Sequence, residues 1–206
     1  MTSKYHIIET PDFTKKLKNY KLDDNIFVYN DGVYWKVVGV SVLLKHVIIY
    51  DNIDGTDVSI YFCPNTYFSC ILPGKYTIHG PNPEMENNIG VVDKNGVILY
   101  PILDRIINIK YELKIMTIRN LLTAFTDCLY LRHFDVDNLH DISYLIEYLS
   151  NGKPKYKLII GSIKLWFNYY LKHSTSIRDK SGIIYTVKES VWLKLMPNTS
   201  IHEIKE

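Results

Sequence analysis

Short runs of β-branched and aromatic residues, separated by polar turns, fill the first hundred positions of the chain. Four such runs are Ile26–Tyr29, Val33–Val40, Val47–Tyr50 and Val58–Phe62. The pairs Asp31-Gly32 and Asp54-Gly55 lie between them, and glycine readily adopts the positive φ angles of tight hairpin turns. The pattern therefore predicts two antiparallel hairpins in this region.

Two further segments before residue 101 predict a loop and a hairpin turn. The segment Gly80–Pro83, which holds two prolines, predicts a loop because proline has no backbone N–H to donate to a sheet. The segment Asp93–Gly96 predicts a hairpin turn between strands at Ile89–Val92 and Val97–Tyr100. The first half of the chain is thus predicted to be β-rich and antiparallel.

The apolar spacing changes after Pro101 from period two to the 3.6-residue period of a helix. Helical stripes of this kind lie within residues 118–129, 139–149 and 159–170. Asp137 is suited to cap the second helix at its N-terminus, and Gly152 is suited to end it. Beyond the stripes, Ile183–Val187 and Val191–Leu195 predict a short closing hairpin.

Together these patterns predict an α+β fold, in which an antiparallel β-rich half is followed by a helical region and a short C-terminal β-hairpin. Residues 1–105 are predicted to form the β-rich domain, and residues 106–206 the helical region packed against it. A chain of 206 residues also fits one single domain, so both arrangements stay open.

The composition, 47% hydrophobic and 22% charged, is that of a folded globular protein. No stretch approaches the roughly 18 consecutive apolar residues of a membrane span, and the N-terminus lacks the apolar core of a signal peptide. Three cysteines without regular spacing fit a reducing compartment. We therefore expect an intracellular protein with no membrane attachment and no cofactor.

The amino-acid composition also indicates the kind of genome that encodes the chain. The chain has one alanine, Ala124, and no glutamine, whereas isoleucine, lysine, asparagine and tyrosine are abundant. Because these four residues have AT-rich codons, we expect an AT-rich genome, such as that of a large DNA virus, a parasite or a low-GC bacterium. A viral protein would be located in the host cytoplasm or in the virion.

One stretch, residues 46–64, carries a set of residues at fixed spacing. They are His46, Ile48, Asp51, Ile53, Gly55, Val58, Cys63 and Pro64. In these residues the stretch resembles a family of bacterial and archaeal proteins of unknown function, whose core reads H-E-I-V-N-D-x-I-G-G-x-P-V-x-V-x-Y-C-P-L-C. Weaker matches extend the resemblance over about residues 6–105, and it implies a fold and one candidate site.

Two departures from the family pattern bear on that site. Thr66 stands where the family has the second cysteine of its Cys-Pro-x-Cys pair, and His79 replaces a small residue before Gly80. The loss of the second thiol removes the simplest dithiol chemistry and the simplest two-cysteine metal site.

Cys63 is the candidate nucleophile, with His46 as its base, because a thiol needs a nearby base or cation to become a thiolate at neutral pH. The alternative is that Cys63 ends a buried strand and packs as a small apolar residue, with Pro64 stopping the strand. His46 is then a structural histidine near Asp51. The apolar run before Cys63 favours this alternative.

Two groups of residues have the donor types of metal sites. His46, Cys63, Cys70 and His79 are ligand types that zinc accepts, but their spacing matches no known zinc motif. His133, Asp135, Asp137 and His140 would suit a divalent cation, and capping aspartates in a solvated turn explain them more simply. No metal is therefore expected.

The charge is unevenly distributed along the chain. Residues 1–150 hold 14 basic and 18 acidic groups, whereas residues 151–206 hold 10 basic and 4 acidic groups. Lys153, Lys155, Lys157 and Lys164 lie among aromatic residues, a combination typical of single-stranded nucleic-acid surfaces. An ordinary solvated basic face is the other interpretation, and any nucleic-acid contact is expected to be weak.

The sequence therefore favours a non-enzymatic structural or interaction protein with protein partners. A thiol-dependent enzyme using Cys63 and His46 is the first alternative. A nucleic-acid-binding module using residues 151–206 is the second.

Overall fold

A computed structural model describes residues 5–17, 20–104, 111–132, 142–150, 153–161, 174–178, 184–188, 190–191 and 194. The strands up to residue 99 are β1 (Ile7–Ile8), β2 (Phe13–Thr14), β3 (Asn25–Asn30), β4 (Trp35–Gly39), β5 (Ile48–Ile53), β6 (Thr56–Phe62), β7 (Ser69–Pro73), β8 (Thr77–Asn82), β9 (Asn88–Val92) and β10 (Ile98–Leu99). The later strands are β11 (Lys114–Thr117), β12 (Cys128–Leu131), β13 (Ile142–Ser150), β14 (Lys153–Gly161), β15 (Ser174–Arg178) and β16 (Ile184–Lys188). The helices are α1 (Val40–Lys45), α2 (Pro101–Asp104) and α3 (Ile118–Ala124), with a 3-10 turn at Pro83–Met85.

The predicted N-terminal hairpins are confirmed. Strands β3 and β4, β5 and β6, and β9 and β10 pair antiparallel. The turn glycines Gly32, Gly55 and Gly96 have φ angles of 100°, 78° and 81°, in the region that glycine adopts most easily.

Five strands form one sheet in the order β11-β3-β4-β12-β2. Its members come from both sides of residue 105, because β11 pairs with β3 and β12 pairs with β4. The division of the chain into two domains stays a prediction.

Two other sheets complete the first half, in the orders β1-β5-β6-β7 and β10-β9-β8. The loop predicted at Gly80–Pro83 is wrong in part, since β8 runs through Pro81 to Asn82. Pro81 is tolerated there because β8 lies at the edge of its sheet, with a register shift beside Gly80.

The predicted α+β fold class is wrong, because strands predominate and the protein is mainly β. The first predicted helix shortens to α3, and Cys128–Leu131 is a strand instead. The second predicted helix is strand β13 instead. The third predicted helix begins within β14, and its residues 162–170 lie outside the described residues. Asp137, the predicted N-cap of the second helix, also lies outside them. Gly152, predicted to end a helix, lies outside the described residues.

The reason for this error is visible in the sequence of β13. Its residues Ile142, Tyr144, Ile146 and Tyr148 alternate with period two, while Leu145, Ile146 and Leu149 also fit a helical stripe. Isoleucine and tyrosine favour strands, and an Asn-Gly pair at residues 151–152 is typical of two-residue hairpin connections.

The predicted closing hairpin pairs with a different segment. Its first strand corresponds to β16, which pairs with β15. Ser190 and Val191 are helical instead.

The buried apolar residues form layers around the sheets. One cluster, which includes Phe27, Val38, Ile60 and Ile71, lies between the five-stranded sheet, α1 and the four-stranded sheet. A second covers the other face of the four-stranded sheet and includes Val187 and Val191 from the C-terminal segment. A third packs α3 on the outer face of the five-stranded sheet. Within the described part of the chain, no helix is long and apolar enough to cross a bilayer.

Candidate functional site

Cys63 lies directly after β6 and is fully buried, at 0% exposure. Its backbone N–H donates to the carbonyl of Phe68 over 2.9 Å, and its carbonyl accepts the N–H of Tyr67 over 2.8 Å. The thiol Sγ accepts the backbone N–H of Ile89 over 3.4 Å, which links β6 to β9. The thiol is therefore built into the junction of two sheets.

Cys63 belongs to a group that we call the thiol cluster. Its members are Tyr61, Cys63, Thr66, Cys70 and Asn88, all buried. Tyr61 donates its hydroxyl to the carbonyl of Ile89 over 2.7 Å, and Asn88 Nδ2 donates to Thr66 Oγ1 over 3.0 Å. Burial raises the pKa of both the Tyr61 hydroxyl and the Cys70 thiol well above their ordinary values, so these groups stay neutral.

His46 ends α1, where its backbone N–H donates to the carbonyl of Val42 over 2.7 Å. The backbone N–H of Phe62 donates to the carbonyl of Val47, so the next positions along this strand pair are His46 and Cys63. The backbone therefore brings the two predicted site residues to the same end of the β5–β6 pair.

The electrostatics of His46 do not favour a charged imidazole. Its pKa is lowered first by burial, then by the charges of Lys45 and His6, and the His6 ring lies 5.9 Å away. A thiolate is stabilised by a neighbouring imidazolium, and the lowered pKa makes that cation less available at neutral pH. The lowered pKa of His46 therefore disfavours a thiolate–imidazolium pair with Cys63.

Thr66, in the segment between β6 and β7, has a structural role. Its hydroxyl accepts from Asn88, and its carbonyl accepts the backbone N–H of Lys188 over 2.8 Å. The ammonium of Lys188 lies 5.8 Å from the centre of the Tyr67 ring. Position 66 therefore connects the β6–β7 turn to the C-terminal segment.

A second buried polar group, which sequence reasoning missed, joins the five-stranded and four-stranded sheets. This ionic cluster consists of Tyr29, Asp31, Lys36 and Asp51. Lys36 Nζ lies 2.7 and 2.6 Å from the two oxygens of Asp51 and 3.1 Å from Asp31 Oδ2. Tyr29 donates its hydroxyl to Asp51 Oδ2 over 2.6 Å.

The charges of the ionic cluster are well compensated, although the side chains of Lys36, Asp31 and Asp51 are only 11%, 13% and 10% exposed. Burial by itself raises the pKa of the Asp31 carboxyl, but the N–H groups of Tyr34 and Val33 and the Lys36 ammonium bring it below the ordinary 3.8. Burial beside the Asp51 charge raises the pKa of Tyr29 well above its ordinary value. The cluster therefore combines one lysine and two carboxylate side chains with a neutral phenol, and hydrogen bonds from Tyr29 and from the backbone N–H groups of Val33 and Tyr34 stabilise the carboxylates.

The sequence contained one signal for the ionic cluster. Lys36 lies inside the apolar run Val33–Val40, in a strand whose residues 36–39 are all buried. A buried lysine requires a carboxylate partner, and Asp51, which also follows an apolar run, is that partner.

Metal-binding geometry is not found among the described residues. They contain no group of three or more His, Cys, Asp or Glu side chains placed to hold an ion, and His79 is exposed. The constellation from His133 to His140 lies outside the described residues.

The predicted nucleic-acid residues Lys153, Lys155 and Lys157 lie on β14. They pair in register with Ser150, Tyr148 and Ile146 of β13. Lys164 lies outside the described residues.

No protein-family model, no curated protein and no solved structure matches the chain at a significant level.

Proposed function

We propose that the protein is a non-enzymatic structural or interaction protein. The observation that carries this proposal is the state of Cys63, whose thiol is fully buried and accepts a backbone N–H from a neighbouring sheet. A nucleophile must reach its substrate, whereas this thiol fills a junction between strands. The lowered pKa of His46 also supports the proposal.

An aromatic surface supports a role in protein contacts. The rings of Trp35 and Phe125 stack with centroids 3.9 Å apart, and Lys114 Nζ lies 5.6 Å from the centre of the Trp35 ring. Both rings are only partly buried, and Leu122 of the adjacent α3 is 48% exposed. Partly exposed aromatic and apolar side chains of this kind are enriched in protein interfaces.

The proposed source follows from residue usage. The single alanine, the absence of glutamine and the abundance of isoleucine, lysine, asparagine and tyrosine support an AT-rich genome such as that of a large DNA virus. In that setting, the protein acts in the host cytoplasm or as part of the virion.

The pH dependence of alkylation at Cys63 tests the proposal against the thiol-enzyme alternative. The folded protein is treated with iodoacetamide between pH 5 and 8, and each cysteine is followed by mass spectrometry, with partly exposed Cys128 as the internal reference. Burial raises the pKa of the Cys128 thiol, so we expect its modification to increase toward pH 8, and we expect Cys63 to remain unmodified at every pH.

The variant His46→Gln supplies the control. We expect it to leave the alkylation of Cys63 unchanged. Rapid alkylation of Cys63 below pH 7 that disappears in His46→Gln would establish a thiolate–imidazolium pair and overturn the proposal.

A further inference from the structure

The hairpin of β13 and β14 has nine-residue strands paired along their full length, from Ile142 with Gly161 to Ser150 with Lys153. Residues two apart on a strand lie on the same face of a sheet, and paired residues share that face. The register therefore divides the hairpin into two faces of different composition.

One face, which we call the lysine face, holds all three lysines of β14. It consists of Ile142, Tyr144, Ile146, Tyr148, Ser150, Lys153, Lys155, Lys157, Ile159 and Gly161. Every charged position on this face is a lysine, and Lys155 is paired directly with Tyr148. The positive charges are thus concentrated along one strand beside a neighbouring aromatic residue.

The opposite face is the more apolar one. It holds Ser143, Leu145, Glu147, Leu149, Pro154, Tyr156, Leu158 and Ile160. A two-stranded ribbon is marginally stable in water unless one face is covered, and the face with three leucines gains most from being covered. Because burial of unpaired lysines is costly, the opposite face is the one better suited to a cover of protein, which leaves the lysine face for a charged partner.

We propose that the lysine face binds single-stranded nucleic acid. Alternate residues of a strand are about 7 Å apart, so Lys153, Lys155 and Lys157 form a row suited to successive phosphates of an extended strand. Tyr144 and Tyr148 on the same face supply rings on which bases stack.

The tyrosines distinguish nucleic acid from other polyanions. A row of lysines alone serves an acidic peptide or an anionic lipid surface equally well, because it provides only charge. Stacking rings add affinity only for a partner with planar bases. The inference is independent of the role of Cys63, because the hairpin contains none of the thiol cluster.

Fluorescence anisotropy of the full chain with labelled oligothymidylate of about 15 nucleotides tests the proposal. We expect binding whose logarithm falls with the logarithm of salt concentration with a slope of about −2, from three phosphate contacts at about 0.7 each. Wild-type protein that does not bind at about 50 mM salt would overturn the proposal.

Two matched triple variants separate the lysine face from overall charge. Changing Lys153, Lys155 and Lys157 to glutamate should abolish binding. Changing three exposed lysines elsewhere to glutamate, at Lys16, Lys21 and Lys94, alters the net charge equally and should leave most of the affinity. Equal loss in both variants would contradict a local site.

A third variant tests stacking. Tyr148→Ala should weaken binding about tenfold without changing the salt slope, because it removes a ring and no charge. If anionic vesicles or polyglutamate bind as tightly as oligothymidylate, or if Tyr148→Ala has no effect, the partner is not nucleic acid.

Circular dichroism establishes that each variant is folded. Should the glutamate variant fail to fold, glutamine at the same three positions decides the question, because it removes the charge without reversing it. Unchanged oligothymidylate binding by that folded glutamine variant would overturn the proposal.

Discussion

The ionic cluster and the thiol cluster both place polar groups between layers of sheet, but they do so by different means. In the ionic cluster, Lys36 and Asp51 form an ion pair, in which Lys36 Nζ lies 2.7 and 2.6 Å from the two carboxylate oxygens. In the thiol cluster, Asn88 Nδ2 donates to Thr66 Oγ1 over 3.0 Å, and the backbone N–H of Ile89 donates to Cys63 Sγ over 3.4 Å. The first region therefore depends on charge compensation and the second mainly on packing.

This difference predicts unequal sensitivity to substitution. A buried charge that loses its partner keeps its desolvation penalty, whereas a neutral group that loses a hydrogen bond loses much less. Substitutions in the ionic cluster should therefore lower the free energy of unfolding more than substitutions in the thiol cluster, and the two clusters should respond differently to pH.

The largest effect is expected from Asp51→Ala. This change leaves the ammonium of Lys36 with only Asp31 and removes the acceptor of the Tyr29 hydroxyl. We expect a loss of about 3–5 kcal/mol in the free energy of unfolding, measured with urea.

Two comparisons control this prediction. Lys75→Met breaks the exposed pair Lys75–Asp57 and should cost less than about 1 kcal/mol. The quadruple variant Tyr29→Phe, Asp31→Asn, Lys36→Met, Asp51→Leu removes all the partners together and should cost less than Asp51→Ala alone. If Asp51→Ala costs no more than Lys75→Met, the ionic cluster is not a stabilising junction.

A smaller effect is expected from Thr66→Val in the thiol cluster. The substitution keeps the shape of the side chain but removes the acceptor of Asn88 Nδ2, so we expect a loss of about 1–3 kcal/mol. Adding Asn88→Leu should recover part of that loss, because both polar partners are then gone. A loss from Thr66→Val as large as that from Asp51→Ala would remove the contrast between the clusters.

The smallest effects are expected from pH, and they fall in two separate ranges. The pKa of His46 is lowered from 6.5, so the folded state resists its protonation and stability declines as pH falls from about 6.5 through the lowered value. The pKa of Asp31 is lowered from 3.8, so its contribution is present above that pH and is lost as pH falls further.

Two single-residue variants test which side chain causes the loss of stability in each pH range. In urea unfolding across pH, His46→Gln should flatten the decline that begins near pH 6.5, and Asp31→Asn should flatten the one below pH 3.8. An unchanged profile in His46→Gln would show that its imidazole titrates alike in the folded and unfolded states.

The N-terminal hairpins could be predicted because their determinants are local. Asp31-Gly32 and Asp54-Gly55 specify the two turns. The strands on each side of a turn pair with each other, so no distant part of the chain is needed to predict that pairing. The sequence suggests His46 as the base of Cys63 from the chemistry of thiols, and the extended register of β5 and β6 places both residues at the same end of the strand pair.

The helical region was mispredicted because residues such as Leu145 and Leu149 fit both periods. The Asn-Gly pair after Ser150 is a local signal for a hairpin, but Gly152 alone also fits the end of a helix. The ionic cluster was missed for a different reason. Lys36 and Asp51 lie on strands of different sheets, and only the packing of those sheets brings them together.

The most direct test of the central claim, that Cys63 is a structural residue, is its alkylation rate as a function of urea. In a Cys128→Ser background, mass spectrometry distinguishes Cys63 from Cys70. We expect the native protein to suppress alkylation of Cys63 at least about a thousandfold relative to the unfolded chain, with a urea dependence that matches global unfolding. A rate in the native state close to that of the unfolded chain, and independent of urea, would contradict the claim.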